Sequence, residues 1–138
     1  MSALLLDTHI WLWYAEGNAQ RLTADGVGRL DQARQAQGLW ISPISIWEIG
    51  ARLAEGEIQL SVPLRDWVRD ALSPAGIGLL PLDAESAAES TLLPGKPHPH
   101  PAHRLLIATA RTRSLVLATR SRKIIEYGKA GHVQRLEL

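Results

Sequence analysis

The chain has 138 residues, 46% of them hydrophobic and 21% charged, a balance that argues against disorder and predicts a single domain over residues 1–138. It contains no cysteine, which excludes disulfides and cysteine-based metal sites. The apolar run at residues 3–6 is too short for a signal peptide or a membrane span, so we expect a cytoplasmic protein with no membrane partner.

The net charge of +1 hides an uneven distribution of charge along the chain. Residues 1–90 carry six Lys/Arg and twelve Asp/Glu, a net of −6, whereas residues 91–138 carry nine Lys/Arg and two Glu, a net of +7. This asymmetry indicates either a polyanionic partner near the C-terminal part or simply a solvated helix face.

The first part of the chain alternates short apolar runs with helical patterns. In chain order it predicts a buried strand at 3–7, an amphipathic segment at 8–15, a helix at 23–37, a strand at 39–42, a helix at 44–55, a short extended piece at 57–60 and a helix at 64–72. Val27, Leu30 and Ala33 have the spacing of one helix face. Pro43 suits a helix start, where its missing N–H costs nothing.

The rest of the chain continues this alternation. It predicts a strand at 78–82, a helix at 84–93, a loop at 94–101 that holds four prolines, a helix at 102–113, a strand at 114–119, a helical turn at 123–128 and an edge strand at 132–136. Alternating strands and helices predict an α/β fold with a parallel sheet and helices on both faces. In such sheets the ligand site lies beyond the C-terminal ends of the strands.

Two carboxylates are candidates for chemistry at this edge of the sheet. Asp7 ends the first strand, where it is either the N-cap of the next helix or a metal-binding carboxylate. Glu48 lies on a nearly all-apolar helix and therefore needs a partner. That partner is either Arg52 at i+4 or a polar cleft shared with Asp7, and the residue pattern alone leaves both alternatives open.

Histidine is concentrated in one short segment, at His98, His100 and His103. Imidazole suits Zn²⁺, Ni²⁺ or Cu²⁺, but this spacing matches no structural zinc pattern, so the alternative is a polar surface loop. Arg104 and Arg120 are expected near the edge, where guanidinium groups can contact phosphates.

The five tryptophans are mostly expected in the core. Trp11 and Trp13 cannot both lie on the same side of a helix, so one of them is expected to be exposed. Because exposed aromatic residues are enriched at interfaces, a homodimer or a bound partner helix is a reasonable hypothesis.

Four segments in order resemble the blocks of VapC-type PIN-domain nucleases. Residues 5–11 (LLDTHIW) resemble the opening strand and helix, and residues 42–49 (SPISIWEI) resemble the second block, whose Glu is an acidic site residue. Residues 101–110 (PAHRLLIATA) resemble the third block, usually Asp-Pro-x-Asp-Arg, and residues 115–121 (LVLATRS) resemble the fourth, usually ending Thr-x-Asp.

The resemblance implies a three-layer α/β/α sandwich with a central parallel sheet. It also implies clustered carboxylates that hold Mg²⁺ or Mn²⁺ and hydrolyse RNA, as hard cations bound by oxygen ligands do. Members of this family are often toxins of type II toxin–antitoxin systems, so the resemblance further implies an antitoxin partner and a homodimer.

This chain departs from the family pattern at its acidic positions. The two acids of the third block are His100 and His103, and the acid of the fourth block is Ser121. The implied catalytic site is therefore Asp7, Glu48, His103 and Ser121, and the implied metal ligands are Asp7, Glu48 and His103.

With fewer carboxylates, Mg²⁺ should bind more weakly than at a complete site. His103 could act as a general base, or as a nitrogen ligand that shifts preference toward Mn²⁺, Zn²⁺ or Ni²⁺. Two hypotheses follow: an endoribonuclease with an altered site, or an inactive pseudo-nuclease that keeps dimer, antitoxin or RNA binding.

Overall fold

The computed structural model describes residues 2–138, so Met1, the first residue of the predicted domain, lies outside the described residues. The described strands are β1 (Leu4–Leu6), β2 (Leu39–Ile41), β3 (Ile77–Leu79), β4 (Val116–Thr119) and β5 (Arg135–Glu137). The described helices are α1 (Thr8–Ala15), α2 (Ala24–Gln35), α3 (Pro43–Ala54), α4 (Leu64–Leu72), α5 (Ala84–Glu89), α6 (Pro101–Thr112) and α7 (Arg122–Lys129).

The five strands form one sheet in the order β3-β2-β1-β4-β5, and every neighbouring pair is parallel. The predicted parallel sheet is therefore confirmed. Strands β2 and β3 follow one another on one side of β1, whereas β4 and β5 lie on its other side. The gap between β1 and β4 is thus the point where the strand order reverses, which is where ligands bind in open α/β sheets.

Apolar residues of β1 alternate between two separate cores, because successive side chains of a strand point to opposite faces. Leu4 and Leu6 pack in one cluster with Trp11, whereas Leu5 packs in the other with Leu106. Helices α1 to α4 contribute to the first cluster, and α6 and α7 contribute to the second. Helices on both faces of the sheet confirm the predicted three-layer α/β/α sandwich.

Some predicted elements differ from the observed ones. The extended piece predicted at 57–60 pairs with no strand among residues 2–138; its apolar residues Ile58 and Leu60 pack on the first core instead. The helix predicted at 84–93 ends at Glu89, because the hydroxyls of Ser90 and Thr91 donate to carbonyls of the preceding turn.

The tryptophans also differ from expectation. Trp11 is fully buried and Trp13 is half-buried, whereas the exposed tryptophan is Trp47 on α3, at 62%. Within the described part of the chain, no helix has both the length and the apolar character needed to cross a bilayer.

Candidate active site at the carboxyl edge of the sheet

Asp7 lies at the strand-order reversal and is buried. It is the N-cap of α1, and its Oδ1 accepts a 2.8 Å hydrogen bond from the backbone N–H of Thr8. Its Oδ2 accepts a 2.7 Å hydrogen bond from the hydroxyl of Thr119, the last residue of β4. The N-cap alternative for Asp7 is therefore confirmed, and metal binding by its carboxylate stays a prediction.

Glu48 is linked to Asp7 through Thr8, whose backbone N–H donates to Asp7 and whose hydroxyl donates to Glu48. The hydroxyl of Thr8 donates to Glu48 Oε1 at 2.5 Å and lies 2.9 Å from the hydroxyl of Ser45. Glu48 is 97% buried on α3, so the hydroxyl of Thr8 supplies a polar contact that a buried carboxylate requires. The two predicted carboxylates thus meet within one buried hydrogen-bond network.

Arg52 completes the surroundings of Glu48. Its Nη2 lies 3.8 Å from Glu48 Oε2, and its Nη1 lies 3.2 Å from Glu57 Oε2. The i, i+4 partner considered for Glu48 is therefore present as well, as a longer contact to the second carboxylate oxygen. The positive charge of Arg52 offsets part of the negative charge that would attract a cation.

His103 also lies at this edge, beside Asp7. Its Nε2 is 3.8 Å from Asp7 Oδ1, and its Nδ1 is 2.8 Å from Nε2 of His98. The other ring nitrogen of His98, Nδ1, accepts a 3.0 Å hydrogen bond from the backbone N–H of His100. The loop at 94–101 and the start of α6 thus supply a chain of imidazoles that ends at Asp7.

The pKa values of two histidines respond to this environment. Burial, then the charges of His103 and Lys123, lower the pKa of His98 to about 4. Burial and the nearby charge of Arg52 also lower the pKa of His9 on α1, against the opposing effects of Asp7 and Glu48. His9 therefore belongs to the same electrostatic cluster as the two carboxylates.

Ser121 reaches Asp7 only indirectly. Its hydroxyl caps α7 by accepting from the N–H of Ile124 at 3.5 Å, and its own backbone N–H donates to the hydroxyl of Thr119 at 2.9 Å. Thr119 in turn donates to Asp7. Ser121 thus lies at the predicted edge, but its link to Asp7 passes through Thr119.

The two predicted phosphate-binding arginines already have partners within the fold. Arg104 donates through Nε to the carbonyl of His98 at 2.8 Å, which anchors the histidine loop. Arg120 donates to the carbonyls of Leu138 and Arg21, and its guanidinium lies 5.0 Å from the ring centroid of Trp13. Their contact with RNA stays a prediction.

A hard divalent cation fits these residues poorly. Such ions need several oxygen ligands or added water around one or two free carboxylates. Here three of the four carboxylate oxygens of Asp7 and Glu48 accept hydrogen bonds, and the fourth lies toward Arg52. Among residues 2–138 no group of three or more His, Asp or Glu side chains is arranged to hold a metal ion.

Sequence reasoning missed three residues of this site: Thr8, Thr119 and His9. The hydroxyls of Thr8 and Thr119 hold the carboxylates, and His9 shares their electrostatic environment. One signal was available for two of them. Thr8 and His9 follow Asp7 directly, in the first turn of a helix that starts at the edge of the sheet.

Comparisons with known proteins agree with this architecture. The family model described as the PIN domain matches residues 4–130. The chain is 32% identical over 126 residues to Ribonuclease VapC22 of Mycobacterium tuberculosis, an alignment that covers 90% of this chain and 91% of that protein.

Two solved structures share the fold at lower sequence identity. One is VapBC2 from Rickettsia felis bound to a promoter DNA fragment, with a TM-score of 0.70, 12% identity and coverage of 98% of each chain. The other is FitAcB from Neisseria gonorrhoeae, with a TM-score of 0.67, 20% identity and coverage of 97% of this chain and 96% of that one.

Proposed function

This chain belongs to the PIN-domain family, on the branch of the VapC ribonucleases, and from that premise we propose that it is the ribonuclease toxin of a toxin–antitoxin pair. Its substrate is RNA and its partner is an antitoxin protein. The single observation that carries the proposal is 32% identity over 91% of a named ribonuclease. The geometry supports it, because the shared fold brings Asp7 and Glu48 together at the strand-order reversal.

Three side chains of this chain supply polar groups at the edge of the sheet. Asp7 and Glu48 are buried acceptors held by threonine hydroxyls, and His103 faces Asp7. PIN-domain VapC ribonucleases are generally dependent on a divalent metal ion, which when bound activates water and offsets phosphate charge. The carboxylate and imidazole groups described above do not fit such an ion well, so we assign no step of the reaction to it.

A second candidate function follows from that poor fit. In this reading the chain keeps the fold and binds RNA and the antitoxin, but does not cleave RNA with Mg²⁺ or Mn²⁺. The observation that favours it is the hydrogen bonding of three carboxylate oxygens, with Arg52 beside the fourth. Imidazole at His103 and a hydroxyl at Ser121 take the positions of two acids in the family pattern.

We also propose that the protein acts in the cytoplasm as a homodimer. The cytoplasm is where an RNA substrate and an antitoxin would be met. One exposed aromatic side chain, Trp47 on α3, supports an interface, because aromatic residues are enriched at the centres of interfaces.

Expression in a bacterial host tests the primary proposal. The native chain is expected to slow growth and to create new RNA 5′ ends, whereas Asp7→Asn does neither while still capping α1, because Asn is an equally good N-cap. Asp25→Asn is the matched control, since Asp25 is exposed on α2 and pairs with Arg29.

The same experiment separates the two candidates. New RNA ends that depend on Asp7 support the ribonuclease. Antitoxin binding without any new RNA ends supports the non-cleaving form. New RNA ends that are as abundant with Asp7→Asn as with the native chain would show that the edge beside Asp7 is not the site.

A further inference from the structure

We infer that the edge beside Asp7 binds the phosphate groups of an RNA backbone through N–H donors and cationic side chains, without a bound metal ion. This inference rests on the proposed function, because it takes RNA as the ligand. Two independent observations carry it: the tautomers that the histidine chain imposes, and a basic concavity that continues from His98.

The tautomers follow from the hydrogen bonds, starting at His100. The backbone N–H of His100 donates to Nδ1 of His98, so that nitrogen carries no proton and the ring proton is on Nε2. That Nε2–H can then donate to Nδ1 of His103, 2.8 Å away. Neutral His103 must therefore carry its own proton on Nε2, the nitrogen that faces Asp7.

This assignment makes His103 a donor rather than a metal ligand. A ring nitrogen that carries a proton has no lone pair for a cation. If Nε2 of His103 lost its proton, the proton of that ring would be on Nδ1 and would point at Nε2 of His98. The proton of His98 would then be on its Nδ1, where it would clash with the backbone N–H of His100. The side chain of His103 is 15% exposed at this edge, and an N–H donor suits an anionic oxygen, such as that of a phosphodiester.

The second observation is a concavity between the loop that carries His98 and helix α7, of about 660 Å³, a size typical of ligand sites. We call it the basic groove, and its cationic lining residues are Lys96, Arg122 and Lys123. Each of the three is exposed, and within the described residues none forms an ion pair. The one carboxylate of the lining, Glu126, lies 3.6 Å from Lys129.

The basic groove and the edge beside Asp7 are continuous. His98 lines the groove on one side and contacts His103 on the other. Lys123 lines the same groove as His98. A strand of RNA with one phosphate at His103 can therefore place the next phosphates along Lys123, Arg122 and Lys96. The excess of positive charge in residues 91–138 agrees with this path.

Nitrogen-15 NMR of the tag-free full chain tests the tautomers directly. In EDTA at pH 7.5, both His98 and His103 are expected to show a protonated Nε2 and an unprotonated Nδ1. One equivalent of Zn²⁺ is expected to leave the Nε2 resonance of His103 unshifted. A shift that indicates Zn²⁺ bound at this nitrogen, or a proton found on Nδ1 of His103, would overturn the inference.

Binding of a mixed-sequence, single-stranded oligoribonucleotide in EDTA tests the groove. Log affinity falls as log salt rises, and Lys123→Ala is expected to make this negative slope shallower by about 0.7. That is the value for one lost phosphate contact on a single strand. Lys129→Ala is the matched control on the same helix, because Lys129 pairs with Glu126 and does not line the groove. Equal slopes for both variants and the native chain would overturn the inference.

His103 is tested by a conservative pair of variants in the same assay. His103→Gln keeps a terminal N–H donor and is expected to bind RNA within twofold of the native chain, whereas His103→Leu loses the donor and binds more weakly. Mg²⁺ is expected to leave native binding unchanged.

The results separate this inference from the proposed function. Binding that appears only when Mg²⁺ is added would overturn the inference and leave the proposed function standing. No binding under any condition would overturn both.

Discussion

The carboxylate of Asp7 and the hydroxyl of Thr119 form a buried 2.7 Å hydrogen bond that joins the ends of β1 and β4 across 112 positions of sequence. These two strands are neighbours at the strand-order reversal, so the bond fixes the edge where the site lies. The hydroxyl of Thr119 also accepts the N–H of Ser121, which positions the start of α7. One side chain thus connects two of the four residues that the family pattern places at the site.

Replacing Thr119 with valine tests the energetic weight of this contact. Thr119→Val keeps the shape of the side chain but leaves Asp7 Oδ2 without its donor, which we expect to cost about 1–3 kcal/mol in the free energy of unfolding. Urea denaturation measures the difference. Thr91→Val, at an exposed position outside the sheet, is the control and should change stability by less than about 0.5 kcal/mol. Equal effects of the two variants would contradict the account.

The second apolar core is tested at Leu106 on α6, which is fully buried. Leu106→Ala is expected to lower the free energy of unfolding by about 2–5 kcal/mol, because it removes apolar contacts and leaves a cavity. Leu92→Ala is the matched control, since Leu92 is 73% exposed and should contribute little. A loss below about 1 kcal/mol at Leu106 would show that α6 does not pack on the sheet as described.

Arg120 is expected to act mainly on stability. Its guanidinium holds the carbonyls of Leu138 and Arg21 beside Trp13, so Arg120→Ala should lower the free energy of unfolding by about 1–2 kcal/mol. Arg122→Ala, at an exposed arginine that lines the basic groove, should leave stability nearly unchanged and weaken RNA binding instead. Thermal unfolding and RNA binding should be measured on both variants. A stability loss confined to Arg122→Ala, with weaker RNA binding confined to Arg120→Ala, would contradict this assignment.

Stability should fall in mild acid, and His98 should account for part of the fall. Its pKa is about 4 in the folded chain against 6.5 for an unperturbed histidine, so between these values the unfolded chain binds more protons. The contribution is therefore complete above pH 6.5 and is lost as the pH falls toward 4. Urea midpoints at pH 7.5, 5.5 and 4.5 should drop less steeply for His98→Gln than for the native chain. A His98→Gln profile parallel to the native one would contradict this assignment.

Much of the fold could be predicted because it depends on local patterns. The bounds of α1 and α4 agree with the predictions, and each observed strand overlaps a predicted one. The error at 57–60 has a physical cause. Ile58 and Leu60 carry an apolar alternation typical of a strand, but they pack on the core without a neighbouring strand to pair with. Apolar spacing indicates which side chains are buried, but it does not indicate whether a neighbouring strand is present for backbone hydrogen bonds.

The candidate site could be predicted only in part. Asp7 and Glu48 are conspicuous because each is a charged residue in an apolar segment, and the structure brings them together through Thr8. The contact between Asp7 and Thr119 depends on which strands are neighbours, which local spacing cannot specify. The proton positions on His98 and His103 depend on a backbone N–H of the loop, which no residue pattern indicates. The roles of Ser121, Arg104 and Arg120 in catalysis or RNA binding stay predictions.

We propose that the edge beside Asp7 is a ribonuclease site, at which carboxylates in place of His103 and Ser121 would strengthen the binding of Mg²⁺. The most direct test is the rate of single-stranded RNA cleavage in Mg²⁺ by the native chain and by the double variant His103→Asp/Ser121→Asp. The account predicts at least about tenfold faster cleavage by the double variant, abolished when Asp7→Asn is added. Cleavage by the double variant no faster than that by the native chain, or unaffected by Asp7→Asn, would contradict it.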